Sequence, residues 1–262
     1  MSHAIINTDA STPGNPGPMR IGYIIKTVEG LVVARVGQYA GEGTINIAEY
    51  FAIIAALRHA FRLGFTSVAI ETDAQLVARQ LSGHYKVKDR KMRRLHREVK
   101  DLIPAFSKVT IKWVKRDGNR EADDLSRRTV FEQAYLGPIE KSGGRHPRAM
   151  RSWQAARVRE CAKRGVTEYA LARIFAVPAT SIRLIRLNRS YNDATLDGTP
   201  EWDKRLATPV VEDAEPFPPP SVFTTFPEDT NESSQVEVGA GPEGVYAYVR
   251  TWISGRSEPV KN

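Results

Sequence analysis

Four carboxylates fall where secondary-structure elements are expected to end or begin. Asp9 follows a short apolar strand at 5–7, and Glu49 sits in the first turn of a long helix. Asp73 lies just beyond a strand at 67–71, and Asp123 lies near the start of the last helix of the first half. Strand-end Asp9 and Asp73 can face helix-start Glu49 and Asp123 across the crevice outside the strand ends, where open α/β sheets place their sites. Like charges gathered this closely are unstable without counter-cations. With no His or Cys in the set, the donors suit hard divalent ions, Mg2+ or Mn2+, better than zinc. Two such ions roughly 3.5–4 Å apart can activate a water and stabilise the leaving oxygen in phosphodiester cleavage. Spacing alone leaves another reading open, because Glu49 and Asp123 near helix starts are favoured by the helix dipole without any ion.

The elements that must position these residues follow from periodicity. Two β-prone segments, 21–28 and 31–39, join at Glu29–Gly30 as a hairpin. A helix over about 46–63 carries Ile47, Phe51, Ile54, Leu57, Ala60 and Phe61 as an apolar stripe and ends at Gly64. A short helix at 74–81, a basic helix at 90–104, a strand at 109–114 and a helix over 119–135 complete the pattern. Three strands, a helix, a strand, two helices, a strand and a helix predict an α/β domain, with helices packed on a five-stranded mixed sheet.

Charge divides the chain of 262 residues unevenly. The formal total is +8, but residues 1–144 and 145–208 each carry +7 and residues 209–262 carry −6. Two basic blocks point to a polyanionic partner, with a solvated basic surface as the plainer reading. The densest stretch, 86–100, holds eight Lys/Arg against two acids, and Met92, Leu95, Val99 and Ile103 recur at helical spacing beneath them. A single Cys161 excludes an internal disulfide and a cysteine-based zinc cage. No secretory-signal layout opens the chain and no apolar run is long enough to span a membrane, so a soluble, intracellular protein is expected.

Four ordered segments resemble the ribonuclease H type 1 family. NTDASTPGNPGPMRIG (7–22) is similar to its opening, NIAEYFAIIAAL (46–57) to its glutamate helix, VAIETDAQLV (68–77) to its second aspartate segment and WVKRDGNREADDLSRR (113–128) to its closing motif. The resemblance covers about residues 3–132 and implies a catalytic, metal-ligating set of Asp9, Glu49, Asp73 and Asp123. The family's Ala-Asp-x-Leu pattern selects Asp123 over Asp124. It further implies two Mg2+ or Mn2+ ions per site and cleavage of the RNA strand of an RNA–DNA hybrid, leaving a 3′-hydroxyl and a 5′-phosphate. Asn15, Asn46 and Gln75 take substrate-contacting positions by the same resemblance, with Thr44 and Ser11 as weaker ones. Lys86, Lys88, Arg90, Lys91 and Arg94 form the expected hybrid-binding face. Three departures stand out: Ala10 replaces the glycine of many relatives and adds a methyl beside the substrate; the 115–119 loop has no histidine; and the basic protrusion of some members is missing. Alternatives are a non-catalytic nucleic-acid-binding protein on a degenerate nuclease fold, or a related metal-dependent nuclease acting on DNA or double-stranded RNA.

Beyond a Gly/Pro/Ser-rich linker at 137–147, residues 148–208 read as a helical module. Residues 168–189 fit two short helices resembling a helix-turn-helix, with Ala172 at the crossing and Ala176 in a right-handed turn. Ile182 and Ile185 would pack against Leu171, Ile174 and Phe175. Thr180, Ser181, Arg183, Arg186 and Arg189 would line the exposed face, giving duplex DNA as a second partner. Trp153, Val158 and Cys161 belong to a preceding core helix. The Pro-rich, acidic stretch at 209–240 reads as linker or disorder, and 245–253 is strand-like.

Overall fold

The structure is a computed structural model. It describes residues 2–133, 150–197 and 199–200, together with the backbone of 235–241 and 244–250. The expected linker at 137–147 and most of the acidic tail lie outside the described residues.

A six-stranded mixed sheet organises the first half. Its strands are β1 (His3–Ser11), β2 (Gly17–Thr27), β3 (Val32–Gly43), β4 (Ser67–Thr72), β5 (Lys108–Trp113) and β6 (Val130–Gln133), in the order β5-β4-β1-β2-β3-β6. The pairs β1–β2, β2–β3 and β3–β6 are antiparallel, whereas β4 pairs parallel with both β1 and β5. The sixth strand corrects the five-strand expectation and the helix expected over 119–135. Helix α4 is only Arg120–Leu125, and after a short turn the β-prone Val130 and Phe131 pair with Gly37 and Val36 of β3. Two glycines make this possible. A Cβ on Gly22 would lie 2.3 Å from the Ser126 nitrogen and 2.4 Å from the Ala122 oxygen, and one on Gly37 would lie 2.3 Å from the Leu125 oxygen. The backbone of α4 and the turn after it therefore rests directly on the sheet.

Helix α1 (Ile45–Arg62) crosses the sheet and is buried on every side from Ala48 to Phe61, more fully than a single apolar stripe would require. The sheet covers one flank. Helices α2 (Gln75–Leu81) and α3 (Arg90–Leu102) cover another, and the helical block of the second half covers the rest. In α3, Met92, Leu95, Val99 and Leu102 are buried beneath the basic outer face. That second block comprises α5 (Ser152–Lys163), α6 (Glu168–Phe175) and α7 (Ala179–Arg186). Trp153, Val158 and Cys161 lie buried in α5, as expected of a core helix.

The two halves share one hydrophobic core, and a buried polar network ties them together. Glu98 of α3 pairs with Arg58 of α1 and, at 2.6 Å, with Arg173 of α6. Arg157 of α5 donates to the Phe61 carbonyl (3.2 Å) and the Phe65 carbonyl, its guanidinium 4.0 Å from the centre of the Phe61 ring. Gln154 donates to the Arg62 carbonyl at 2.8 Å, and Arg62 donates to the Ile174 carbonyl at 3.2 Å. These donors cluster on carbonyls at and just beyond the C-terminal ends of α1 and α6, where the helix dipole favours cationic groups.

Ala176 between α6 and α7 is left-handed (φ 51°, ψ 42°), not the right-handed turn expected. Its N–H closes onto the Ala172 carbonyl, and the Val177 N–H does the same at 3.1 Å. That termination usually selects glycine or asparagine. The tail also differs from expectation, because residues 235–241 and 244–250 pair as an antiparallel hairpin, so 235–240 is strand and not linker. No described helix is long and apolar enough to cross a membrane.

Candidate metal centre

β1 continues through Asp9 to Ser11, which places that carboxylate inside the strand, opposite Gly22. β4 ends at Thr72, so Asp73 opens the turn into α2. Glu49 is the fifth residue of α1, in the second turn and not the first, which removes the simple helix-dipole explanation for its placement. Asn15 fixes the start of that helix by accepting a hydrogen bond from the Ile45 N–H at 3.2 Å. Thr44, the N-cap residue, makes no side-chain cap bond.

One oxygen from each of Asp9, Glu49 and Asp73 lies within 4.8 Å of the others. Asp9 and Glu49 are buried, and each keeps one carboxylate oxygen, Oδ2 and Oε2, with no hydrogen-bond partner. Burial, followed by repulsion from Asp73 and Asp123, pushes the Asp9 carboxyl up to about 7 against an opposing hydrogen bond from Ser126. Burial, then Asp9 and Asp73, hold Glu49 well above the usual carboxylate range. Orphaned anionic oxygens in one pocket suit a divalent cation, which would supply both the missing ligand and the missing charge.

Asp123 belongs to the same surroundings but is not one of the three. Arg116 donates to its Oδ1 at 2.7 Å, and the Arg127 guanidinium lies 2.9 Å from both of its oxygens. The short 3-10 turn Arg116–Asn119 thus puts an exposed guanidinium where the loop has no histidine. Beside it lies an open depression of about 340 Å³, lined by Arg116, Asp117, Arg120, Asp123 and Asp124.

Several positioning groups had little or no signal in the sequence. Asn119 is fully buried, and its Nδ2 donates to the Thr8 carbonyl and to Asp73 Oδ1, both at 2.9 Å, joining the loop to β1 and to the carboxylate. Trp113 Nε1 donates to the Asp73 carbonyl at 3.3 Å. Ser11 donates to the Ser126 carbonyl at 2.7 Å, so it anchors the end of α4. Gly22 did have a signal, as a glycine inside a β-prone run, which marks a close backbone approach. The Ala10 methyl joins the hydrophobic core.

The remaining expected residues surround the pocket or lie farther away. Asn15 and Gln75 are exposed and Asn46 is half-buried. Lys86, Lys88, Arg90 and Lys91 are exposed, and Arg94 is half-buried on α3. On α7, Thr180, Arg183 and Arg186 are exposed and Ser181 is half-buried, with Arg186 held by Glu168 at 2.5 Å, and Arg189 is exposed in the turn that follows.

A mixed sheet with carboxylates converging at one end of its central strands defines a ribonuclease H-like fold. A family model described as reverse transcriptase-like matches residues 7–129. Ribonuclease HI of Halobacterium salinarum is 36% identical over 122 residues, covering 47% of this chain and 61% of that protein. The bifunctional protein Rv2228c of Mycobacterium tuberculosis is 37% identical over 123 residues, covering 47% of this chain and 34% of that protein. Among solved structures, the N-terminal RNase H domain of Rv2228c is 35% identical (TM-score 0.47), covering 48% of this chain and 92% of that one. LC11-RNase H1 in complex with an RNA/DNA hybrid is 31% identical (TM-score 0.45), covering 47% of this chain and 92% of that one. The chain belongs to the ribonuclease H type 1 family. It spans less than two thirds of the length of these curated relatives, and residues 150–200 lie outside the matched region.

Proposed function

We propose that this protein cleaves the RNA strand of RNA–DNA hybrids by metal-dependent phosphodiester hydrolysis. The observation that carries this reading is the triad of buried Asp9 and Glu49 with half-buried Asp73, in which two carboxylate oxygens lack a hydrogen-bond partner. These three residues, with Asp123 at the rim, would hold two divalent ions, Mg2+ or Mn2+. Such ions, when bound, lower the pKa of a water and offset charge on the transferring phosphate.

The chain's own groups supply the rest. Asn119 and Trp113 fix Asp73 by its carboxylate and its carbonyl, so its reach into the pocket is set before substrate arrives. Arg116 and Arg127 hold Asp123 and offer positive charge beside the phosphate path. Water adds to phosphorus as the bond to the 3′-oxygen breaks, leaving a 3′-hydroxyl and a 5′-phosphate. Asn15, Asn46 and Gln75, at least half-exposed, take the substrate-contacting role that the family resemblance implies, where contact with the 2′-hydroxyl distinguishes RNA from DNA. The basic residues Lys86, Lys88, Arg90, Lys91 and Arg94 grip the backbone, and the α6–α7 hairpin presents Thr180, Ser181, Arg183 and Arg189 to duplex nucleic acid.

Strand-labelled RNA–DNA, DNA–DNA and RNA–RNA duplexes with Mg2+ or Mn2+ test the proposal. Cuts confined to the RNA of the hybrid are expected. Cuts in DNA–DNA or RNA–RNA, or no hydrolysis of a hybrid that is bound, would contradict it.

A further inference from the structure

The helical block of residues 150–200 lies outside the family match, and its attachment is unlike that of a tethered module. α1 leads into β4, and α3 leads into β5, at the end of the sheet opposite the carboxylates. Both helices therefore begin near the site and run away from it. The block is fixed to their far halves through Glu98, Arg58 and Arg173, by Arg157 under Phe61 and Phe65, and by Gln154 and Arg62. The span from Glu49 to Arg58 along α1 is roughly 14 Å, about half a turn of a nucleic-acid duplex.

Basic side chains follow the same direction. Exposed Arg90, Lys91, Arg93 and Arg97 line α3 from the site end downward. Arg173 of α6 joins α3 at Glu98, and α7 and the turn after it add exposed Arg183 and Arg189. Two acids along this path are neutralised locally: Glu98 is buried between two arginines, and Glu168 is held by Arg186. Because Arg186 is spent on Glu168, the hairpin offers guanidinium charge for phosphates more than a free recognition face for bases.

We propose that the α6–α7 hairpin is a rigid extension of the hybrid-binding surface, and that Arg183 and Arg189 contact phosphates of the same duplex that the carboxylate site engages. The proposal rests on the hybrid-cleaving reading for the identity of the duplex, and it sharpens that reading by fixing the footprint. The two surfaces cannot move independently, so a second duplex has no separate site to occupy.

The test is binding of a 24-base-pair hybrid to the full chain with Ca2+ in place of the catalytic ion, measured across salt concentrations. For Arg183→Glu/Arg189→Glu, the log–log salt slope should fall by about 1.8, the amount expected from two lost phosphate contacts. Arg183→Gln/Arg189→Gln should give the same direction while leaving the surface uncharged, which separates lost contacts from introduced repulsion. Stoichiometry should be one duplex per chain, with saturating hybrid excluding labelled duplex DNA. An unchanged slope in both variants, or simultaneous binding of hybrid and duplex DNA, would overturn the proposal. If the catalytic reading alone fails, hybrid is bound but not cut under Mg2+, and the slope and stoichiometry remain readable.

Discussion

The two ends of α1 bury charge in opposite ways. Near its N-terminus Glu49 faces Asp9 and Asp73, three groups of like charge, and Glu49 and Asp9 each keep one orphaned oxygen. Toward its C-terminus Arg58 faces Glu98, which Arg173 also holds, so opposite charges answer one another. Both sites are desolvated: burial pushes Asp9 up to about 7 and Arg58 down to about 10. The difference is one of charge: at the far end opposite charges pair within the chain, whereas at the near end the like charges call for a cation. One helix thus carries a stabilising contact and a destabilised site, and the first helps to hold the second in place.

Substitutions at the two ends should therefore separate activity from stability. The largest effect is expected for Asp9→Asn or Asp73→Asn, which should abolish RNA-strand cleavage while retaining hybrid binding, read by strand-labelled gels and by binding in Ca2+. At the other end, Glu98→Gln leaves Arg58 buried without its charge partner. It should cost about 3–5 kcal/mol of unfolding free energy, measured by denaturant titration, with metal affinity little changed in the folded fraction. Gly22→Ala should act on the near end alone. Its methyl meets the backbone of Ala122 and Ser126, so α4 and Asp123 must shift, and Mg2+ titration should show weakened metal binding by about 10–100-fold.

The smallest effect concerns pH. Burial pushes His59 down to about 3 from its usual 6.5, with Tyr23 and Gln133 hydrogen-bonded to its ring. The unfolded chain binds a proton there below about pH 6.5 and the folded chain does not, so His59 removes stability progressively as pH falls from 6.5 toward 3. His59→Gln should flatten that limb of the pH–stability curve by up to about one proton. A limb of unchanged slope would show that the loss comes from other groups.

Much of the first half was legible because local signals and fold agree there. The strands around Asp9 and Asp73, the long helix over 46–63 and the basic α3 were readable from periodicity, and the four acids from their placement. What stayed hidden depends on tertiary contact. A turn and a strand after Leu125 replace a longer helix because Gly37 lets the backbone sit on the sheet. The left-handed Ala176 is imposed by closure onto Ala172 against its own propensity. Asn119 gave no sign of bridging Thr8 and Asp73, since its partners are 111 and 46 residues away. The full burial of α1 could not be read either, because residues that cover it come from the other half of the chain.

The central claim is that Asp9, Glu49 and Asp73 form a charge cluster that the chain leaves unfinished. Thermal unfolding of the full chain in slightly alkaline buffer, in EDTA and in millimolar Mg2+, tests it most directly when wild type and Asp9→Asn are compared. In EDTA the folded state holds its Asp9 proton up to about pH 7, so full ionisation above that costs on the order of 4 kcal/mol. Asp9→Asn should then be the more stable protein in EDTA, and Mg2+ should stabilise the wild type far more than the variant. Equal gains from Mg2+ in both proteins, or a variant less stable in EDTA than the wild type, would contradict the account.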